Sequence, residues 1–137
     1  MRTFLASLLL LIVVSPAFAQ SGNFKIVFDL ASQDTADHSG VLRQFNNVLR
    51  EAPDAELEVV CHGPAVSMLV TEKAFFQQRM VELMQKGRVS FRICANSMKR
   101  FGIDRSQLLP FAEVVPVAIL ELADKQQKGW AYIRAGH

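Results

Sequence analysis

The chain of 137 residues is poor in several residue types, and each scarcity excludes a class of protein. Two cysteines are too few for a fold built on disulfides. Five prolines and seven glycines beside 50% hydrophobic residues exclude collagen-like and disordered chains. Lysine and arginine exceed aspartate and glutamate by only two charges, so no nucleic-acid partner is expected. These limits leave a small domain of ordinary apolar content.

The sequence also lacks the common motifs of catalysis and cofactor binding. It contains no Gly-rich phosphate loop, no Cys-x-x-Cys, no HExxH and no GxSxG. Cys61, His62 and Cys94 are residue types that bind soft metals, but three ligands scattered over two strand ends are a pattern of low specificity. We therefore expect neither a metal nor a cofactor.

The N-terminus holds a long apolar run with the features of an export signal. Arg2 precedes apolar residues 4–14, and Pro16 and Ala17-Phe18-Ala19 follow before the polar Gln20. The run is too short for a membrane-spanning helix, which needs about 20 apolar residues. We predict a signal peptide over residues 1–19, cleaved after Ala19. The mature domain would then be residues 20–137, periplasmic in a Gram-negative source and without a membrane contact.

In the mature chain, short apolar runs alternate with helical periods in the order β-α-β-α-β-α-β-α-β. Strands separated by helices require a parallel sheet with right-handed crossovers, so we predict a three-layer α/β/α sandwich with five strands. The connection before the first helix offers N-cap candidates: Asp34, Asp37, Ser39 and Gly40. Strands are predicted at 24–30, 57–61, 89–93, 113–115 and 130–134, and helices at 72–86, 96–101 and 117–128, with short helical turns at 64–69 and after Asp104. A further helix has its apolar face at 41–49 and stops before Pro53.

Open parallel sheets bind ligands beyond the carboxyl ends of their strands. That rule selects the residues that follow the first three predicted strands. They are Asp29, the segment Cys61-His62-Gly63, and the segment Cys94-Ala95-Asn96-Ser97.

Cys94 is the strongest candidate for chemistry. It lies between an apolar strand and a helix, where backbone N–H groups and the helix dipole lower the pKa of a thiol from its ordinary value near 8.5. Strand alternation places Arg92 on the same face, where its charge would also favour the thiolate. The alternative is that Cys94 is a small buried apolar residue, which is common for free cysteine.

Cys61 and His62 differ in their expected surroundings. Cys61 shares its strand face with Leu57 and Val59, which predicts a core residue. His62 faces the other way and can orient or deprotonate a thiol on the neighbouring strand. A solvated loop histidine is the alternative interpretation.

The segments at 59–64, 89–103, 108–110, 114–116 and 129–133 form one set. With this set the sequence resembles the DsrE/DsrF-like family over nearly the whole mature chain. Members of that family carry a cysteine after the third strand, followed by small or polar residues and a short helix. The segments that carry the resemblance are Val-Ser-Phe-Arg-Ile-Cys-Ala-Asn-Ser-Met-Lys-Arg-Phe-Gly-Ile at 89–103, Leu-Leu-Pro at 108–110, Val-Val-Pro at 114–116, Val-Val-Cys-His-Gly-Pro at 59–64 and Gly-Trp-Ala-Tyr-Ile at 129–133.

The resemblance implies a strand order of 4-3-2-1-5 and assembly into homotrimers or homohexamers. It also implies that Cys94 accepts sulfur as a persulfide, with Asn96 and Ser97 holding the thiolate or the outer sulfur. A sulfur donor or acceptor, either a protein or a small thiol, would be the partner. Since strands two and three are then neighbours, a disulfide between Cys61 and Cys94 is an open alternative.

The sequence is compatible with two functions. The first is an exported DsrE-like sulfur carrier or sulfurtransferase that uses Cys94. The second is a non-catalytic, oligomeric module that binds a ligand or a protein and has structural or redox-switch cysteines. Export separates the chain from the cytoplasmic relay partners of its better-known relatives, so neither those partners nor transfer-RNA substrates are carried over.

Overall fold

A computed structural model describes residues 22–137, which form one five-stranded parallel sheet between two layers of helices. The strand order is β4-β3-β2-β1-β5, as the resemblance implies, and the predicted three-layer α/β fold is confirmed. The strands are β1 Lys25–Leu30, β2 Glu56–Cys61, β3 Arg88–Cys94, β4 Glu113–Val115 and β5 Ala131–Ala135. The helices are α1 Thr35–Glu51, α2 Gln77–Lys86, α3 Ala95–Phe101 and α4 Ala118–Gln127, with 3-10 helices at Gly63–Leu69 and Arg105–Gln107.

The larger core lies on the sheet face covered by α1, α2 and the first 3-10 helix. Alternate strand residues enter it, and a row of aromatic rings runs through its centre. Phe45 of α1 lies between Phe28 and Phe91, with ring centroids 5.0 and 6.2 Å away. Phe111 extends the row at 5.6 Å from Phe91. This face is apolar and carries the β-branched and aromatic residues from which the strands were predicted in the sequence.

The opposite face is covered by α4 and has a smaller apolar core. Val27, Val60 and Cys94 on the sheet pack with Ala118 and Leu122 of α4. The alternation predicted for β3 is therefore confirmed, since Val89, Phe91 and Ile93 enter the larger core while Cys94 faces α4.

A network of charges occupies the part of this second face nearest the strand beginnings. Glu58 of β2 is fully buried, and its Oε2 accepts hydrogen bonds from Ser90 Oγ at 3.0 Å and Arg92 Nε at 3.1 Å. Lys125 Nζ of α4 lies 2.8 Å from the same oxygen. Burial raises the pKa of Glu58, but Lys125 and Arg92 lower it by a larger amount. The pKa of Glu58 is therefore below its ordinary value, and the carboxylate stays ionised.

Two helices begin at other residues than their apolar periods indicate. Helix α1 begins at Thr35, before its apolar face starts at residue 41, because Asp34, one of the four N-cap candidates, accepts a hydrogen bond at Oδ1 from Ala36 N at 2.8 Å. The other three N-cap candidates lie inside this helix. Helix α2 begins at Gln77 rather than near 72, because Thr71 N donates to Gln107 O at 2.8 Å and ties that segment to another loop.

None of the helices between residues 22 and 137 has both the length and the apolar character that a membrane crossing needs. The predicted signal peptide at residues 1–19 lies outside the described residues. Its cleavage after Ala19 and the resulting export stay predictions.

Candidate functional site

The candidate site lies at the carboxyl ends of β1, β2 and β3. The register pairs Leu30 with Cys61 and Cys61 with Ile93, and these three side chains enter the larger core. His62 directly follows Cys61 and Cys94 directly follows Ile93, so strand alternation directs both of these side chains to the opposite face. Adjacent strands are about 4.8 Å apart, so topology brings these two predicted site residues together.

Cys94 ends β3 and is the N-cap residue of α3. Its sulfur accepts a hydrogen bond from Ala118 N, the first residue of α4, at 3.4 Å. Asn96 and Ser97, at the start of α3, also lower the pKa of this thiol. The starts of two helices therefore act on the sulfur.

These donors determine the acidity of Cys94. Burial, which leaves 4% of the residue exposed, raises the pKa of the thiol, but the hydrogen bonds from Ser97, Ala118 and Asn96 outweigh it. The pKa of Cys94 is therefore lower than that of an ordinary cysteine. A lowered pKa is the property expected of a nucleophilic cysteine rather than of a core residue.

Arg92 lies on the face of Cys94, as predicted, but its charge is engaged elsewhere. Its Nε donates to Glu58, and its Nη1 pairs with Glu113 of β4. Burial lowers the pKa of Arg92, while Glu58 and then Glu113 raise it above its usual value. The expectation that Arg92 stabilises the thiolate is corrected, because two carboxylates hold the guanidinium and the sulfur obtains its donors from backbone and Ser97.

His62 and Asp29 form a cluster with Tyr132 of β5. His62 Nε2 lies 2.6 Å from Asp29 Oδ1, and Tyr132 OH donates to Asp29 Oδ2 at 2.6 Å. The hydrogen bond to Asp29 raises the pKa of Tyr132, with a smaller contribution from burial. Tyr132 was missed from the sequence, because only the pairing of β5 with β1 places it beside Asp29.

The turn after β2 connects this cluster to Cys94. Gly63 N donates to Ser97 Oγ at 2.8 Å, and Ser97 is in turn one of the residues that lower the pKa of Cys94. Gly63 adopts a φ of 53°, a left-handed conformation that costs other residues about 1–2 kcal/mol. The predicted binding residues Gly63, Asn96 and Ser97 are therefore together around the thiol, and Asp29 lies on the far side of His62.

Cys61 belongs to the larger core, as its strand position indicates. It is fully buried, its Sγ lies 4.0 Å from Met68 Sδ, and burial raises the pKa of its thiol far above the ordinary range. The alternative of a disulfide between Cys61 and Cys94 is wrong, because the two side chains point to opposite faces of the sheet and both thiols are free. Cys61 is also separated from His62 and Cys94 by the sheet. Within residues 22–137, no three histidine, cysteine or acidic side chains form a metal site.

Replacement of Ser97 by alanine should raise the pKa of Cys94. The change removes the side-chain hydrogen bond to the sulfur and keeps the backbone donors of α3. A hydrogen bond to a charged group contributes about 1.5–3 kcal/mol, so its loss should raise the pKa of the thiol clearly. The rate of alkylation by iodoacetamide, followed against pH, measures the value. Ser90→Ala is the matched control, because Ser90 bonds Glu58, and an equal rise in both variants would contradict the assignment.

Comparison with solved structures places the fold among proteins of the same architecture. The protein of unknown function MTH1491 from Methanobacterium thermoautotrophicum has a TM-score of 0.76 and 26% identity, over 81% of this chain and 98% of that one. BT1422 from Bacteroides thetaiotaomicron, also of unknown function, has a TM-score of 0.66 and 15% identity, over 85% and 98%. The ychN protein from E. coli has a TM-score of 0.62 and 17% identity, over 82% and 97%.

Comparison with curated proteins gave no significant match. The sequence profile of the DsrE/DsrF-like family matches residues 10–135, which include every strand and helix described above. The chain belongs to the DsrE/DsrF-like family.

Proposed function

We propose that this protein is a sulfur carrier or sulfurtransferase in which Cys94 forms a persulfide. The observation that carries the proposal is the hydrogen bond from Ala118 N to the Cys94 sulfur at 3.4 Å. Together with Asn96 and Ser97, it holds the pKa of a covered thiol below the ordinary value. A structural cysteine has no need of these donors, whereas a nucleophile gains reactivity at neutral pH from them.

The chemistry of loading needs only a sulfane-sulfur donor such as a polysulfide. The Cys94 thiolate attacks a sulfur atom of the donor, one S–S bond forms and one S–S bond in the donor breaks. The shortened donor leaves with the electron pair, so no external oxidant or reductant takes part.

The same donors serve the delivery of sulfur. When an acceptor thiolate attacks the outer sulfur of Cys94–S–SH, the Cys94 thiolate is the leaving group. Leaving is faster for a thiol of lower pKa, so hydrogen bonds that stabilise the anion favour both directions of transfer.

The proposal includes the setting in which the protein acts. We infer export through the signal peptide at residues 1–19 and action in a periplasm, with a small thiol or a protein thiol as acceptor. Family resemblance supports a homotrimer or homohexamer. Exposed apolar residues next to the site agree with such an assembly, since Ile119 and Leu120 in the first turn of α4 are 71% and 66% exposed in the single chain.

Exposure of the reduced mature protein to polysulfide should add one sulfur atom to Cys94. Intact-mass spectrometry should show a gain of about 32 Da, and peptide mapping should place it on Cys94. Cys94→Ser should show no gain. Cys61→Ala is the matched control and should load like the wild type, since Cys61 is buried in the other core.

An unmodified Cys94, under conditions that load a control persulfide carrier fully, would contradict the proposal. That result would favour the second candidate function, a binding or assembly module without sulfur chemistry. The exposed Ile119 and Leu120 are the observation in its favour. In that case the donors around Cys94 would serve only to join α3 and α4 to the sheet.

A further inference from the structure

The cluster of Tyr132, Asp29 and His62 has no role in making the Cys94 thiolate. His62 Nε2 is directed to Asp29 on β1, away from β3, and the donors to the sulfur are Asn96, Ser97 and Ala118. The cluster nevertheless lies on the same face and at the same end of the sheet as Cys94. A partly buried acid and imidazole, bonded to an exposed phenol in this position, need a different explanation.

The hydrogen bonds determine the tautomer of His62. Asp29 accepts at Oδ2 from the Tyr132 hydroxyl and at Oδ1 from the imidazole, so it acts as a carboxylate. A carboxylate only accepts, and therefore the proton of the neutral ring is on Nε2. Nδ1 then carries the free electron pair, and it has no hydrogen-bond partner within residues 22–137.

The geometry provides a place for a second thiol. His62 and Cys94 each follow one member of the registered pair Cys61 and Ile93, and neighbouring strands of a parallel sheet lie about 4.8 Å apart. A persulfide extends the Cys94 side chain by about 2 Å. A thiol that attacks the outer sulfur of Cys94–S–SH approaches the same end of the sheet, beside the imidazole. An alkyl thiol is mostly protonated at neutral pH and needs a base before it can attack.

We propose that His62 is the base for the acceptor thiol, and that Asp29 and Tyr132 are positioning residues which fix its tautomer. This inference rests on the proposed function and assigns the second half of the reaction. His62 Nδ1 takes the proton of R–SH, and the thiolate attacks the outer sulfur of Cys94–S–SH. A bond forms between the acceptor sulfur and the outer sulfur, which gives R–S–SH. The S–S bond of Cys94 breaks, and Cys94 leaves as the thiolate. The proton on His62 is returned to solvent, so atoms and charge balance. The substrate class is a protonated alkyl thiol.

The test times the unloading of protein that has first been loaded completely, as verified by mass. Two acceptors are compared, 2-mercaptoethanol, which is protonated at neutral pH, and thiophenol, which is largely ionised and needs no base. His62→Gln retains a donor for Asp29 but is no base. It should slow transfer to 2-mercaptoethanol about 100-fold and transfer to thiophenol by no more than about threefold. Tyr132→Phe should slow only the first transfer, by about tenfold.

His137→Gln is the matched control. His137 also pairs with a carboxylate, at 3.0 Å from Asp37 Oδ1, but lies at the C-terminus. It should leave both transfers unchanged. The chain has a single tyrosine, so ultraviolet titration reports directly on the contact between Tyr132 and Asp29. In Asp29→Asn the tyrosine should ionise at a lower pH than in the wild type, since the carboxylate raises its pKa.

Equal slowing of both acceptors in His62→Gln, or no slowing of either, would overturn the assignment of His62. A tyrosine that titrates alike in Asp29→Asn and the wild type would overturn the positioning role. These failures differ from a failure of the proposed function. In that case the wild type would not load at all, and both proposals would fall.

Discussion

Replacement of Glu58 by alanine should lower the free energy of unfolding by about 3–5 kcal/mol. Glu58 is fully buried, and its Oε2 is the common acceptor for Ser90, Arg92 and Lys125. Removal of the carboxylate leaves two cations covered by α4 without their shared partner. The cost of such charges exceeds the value of the pair itself. Urea denaturation of the protein, followed by tryptophan fluorescence, measures the loss.

Glu113→Ala is the matched control for this prediction. Glu113 pairs with the same Arg92 from β4, but its side chain is 55% exposed. An exposed ion pair contributes about 0–1 kcal/mol, so this variant should stay close to the wild type. Equal losses in the two variants would show that burial of Glu58 does not determine the effect.

The difference between Glu58→Ala and the wild type should also depend on pH. The folded pKa of Glu58 is depressed, so its contribution is present above the unfolded pKa and is lost as pH falls through the folded pKa. Glu121 opposes this trend, because burial and the neighbouring Glu58 raise its pKa. Glu58→Ala removes both the depressed group and the cause of that repulsion. Relief of the repulsion offsets part of the loss at neutral pH. Three favourable contacts, from Ser90, Arg92 and Lys125, outweigh this one repulsion, so the stability difference should still be largest near neutral pH and should shrink in acid.

The sequence predicted those features that depend on local periodicity. Alternation in β3 correctly separates Phe91 from Cys94, and the order of strands and helices identifies the end of the sheet that carries the candidate residues. Arg92 is an example of what local periodicity does not predict. Its face was predicted, but its partners Glu58 and Glu113 come from two neighbouring strands, and periodicity contains no information on which strands are adjacent.

The other differences have the same physical origin. The start of α2 depends on a backbone bond between Thr71 and Gln107, which are far apart in sequence. The contact of Tyr132 with Asp29 crosses almost the whole chain. The donors to Cys94 include Ala118 of α4, which only tertiary packing brings to the end of β3. Long-range pairing, rather than local propensity, thus assembles the candidate site.

Iodoacetamide should modify Cys94 in the native protein and leave Cys61 unmodified. Hydrogen bonds lower the pKa of Cys94 despite its burial, whereas burial alone raises the pKa of Cys61. Cys61 becomes a thiolate in water only after unfolding, and the unfolded fraction of a stable domain is about 10⁻³ or less. Its labelling should therefore be roughly 10³-fold slower than that of Cys94, as measured by mass spectrometry of tryptic peptides over time.

The pH dependence of this reaction separates acidity from access. Because the thiolate is the reactive form, a lowered pKa means that the rate at Cys94 reaches its plateau at a lower pH than for free cysteine. In urea both cysteines should react alike, with the pH dependence of an ordinary thiol. If access alone controlled labelling, native Cys94 would follow the pH profile of the unfolded chain and only its plateau rate would differ. A shift of the midpoint to lower pH is therefore the signature of the donors from Asn96, Ser97 and Ala118.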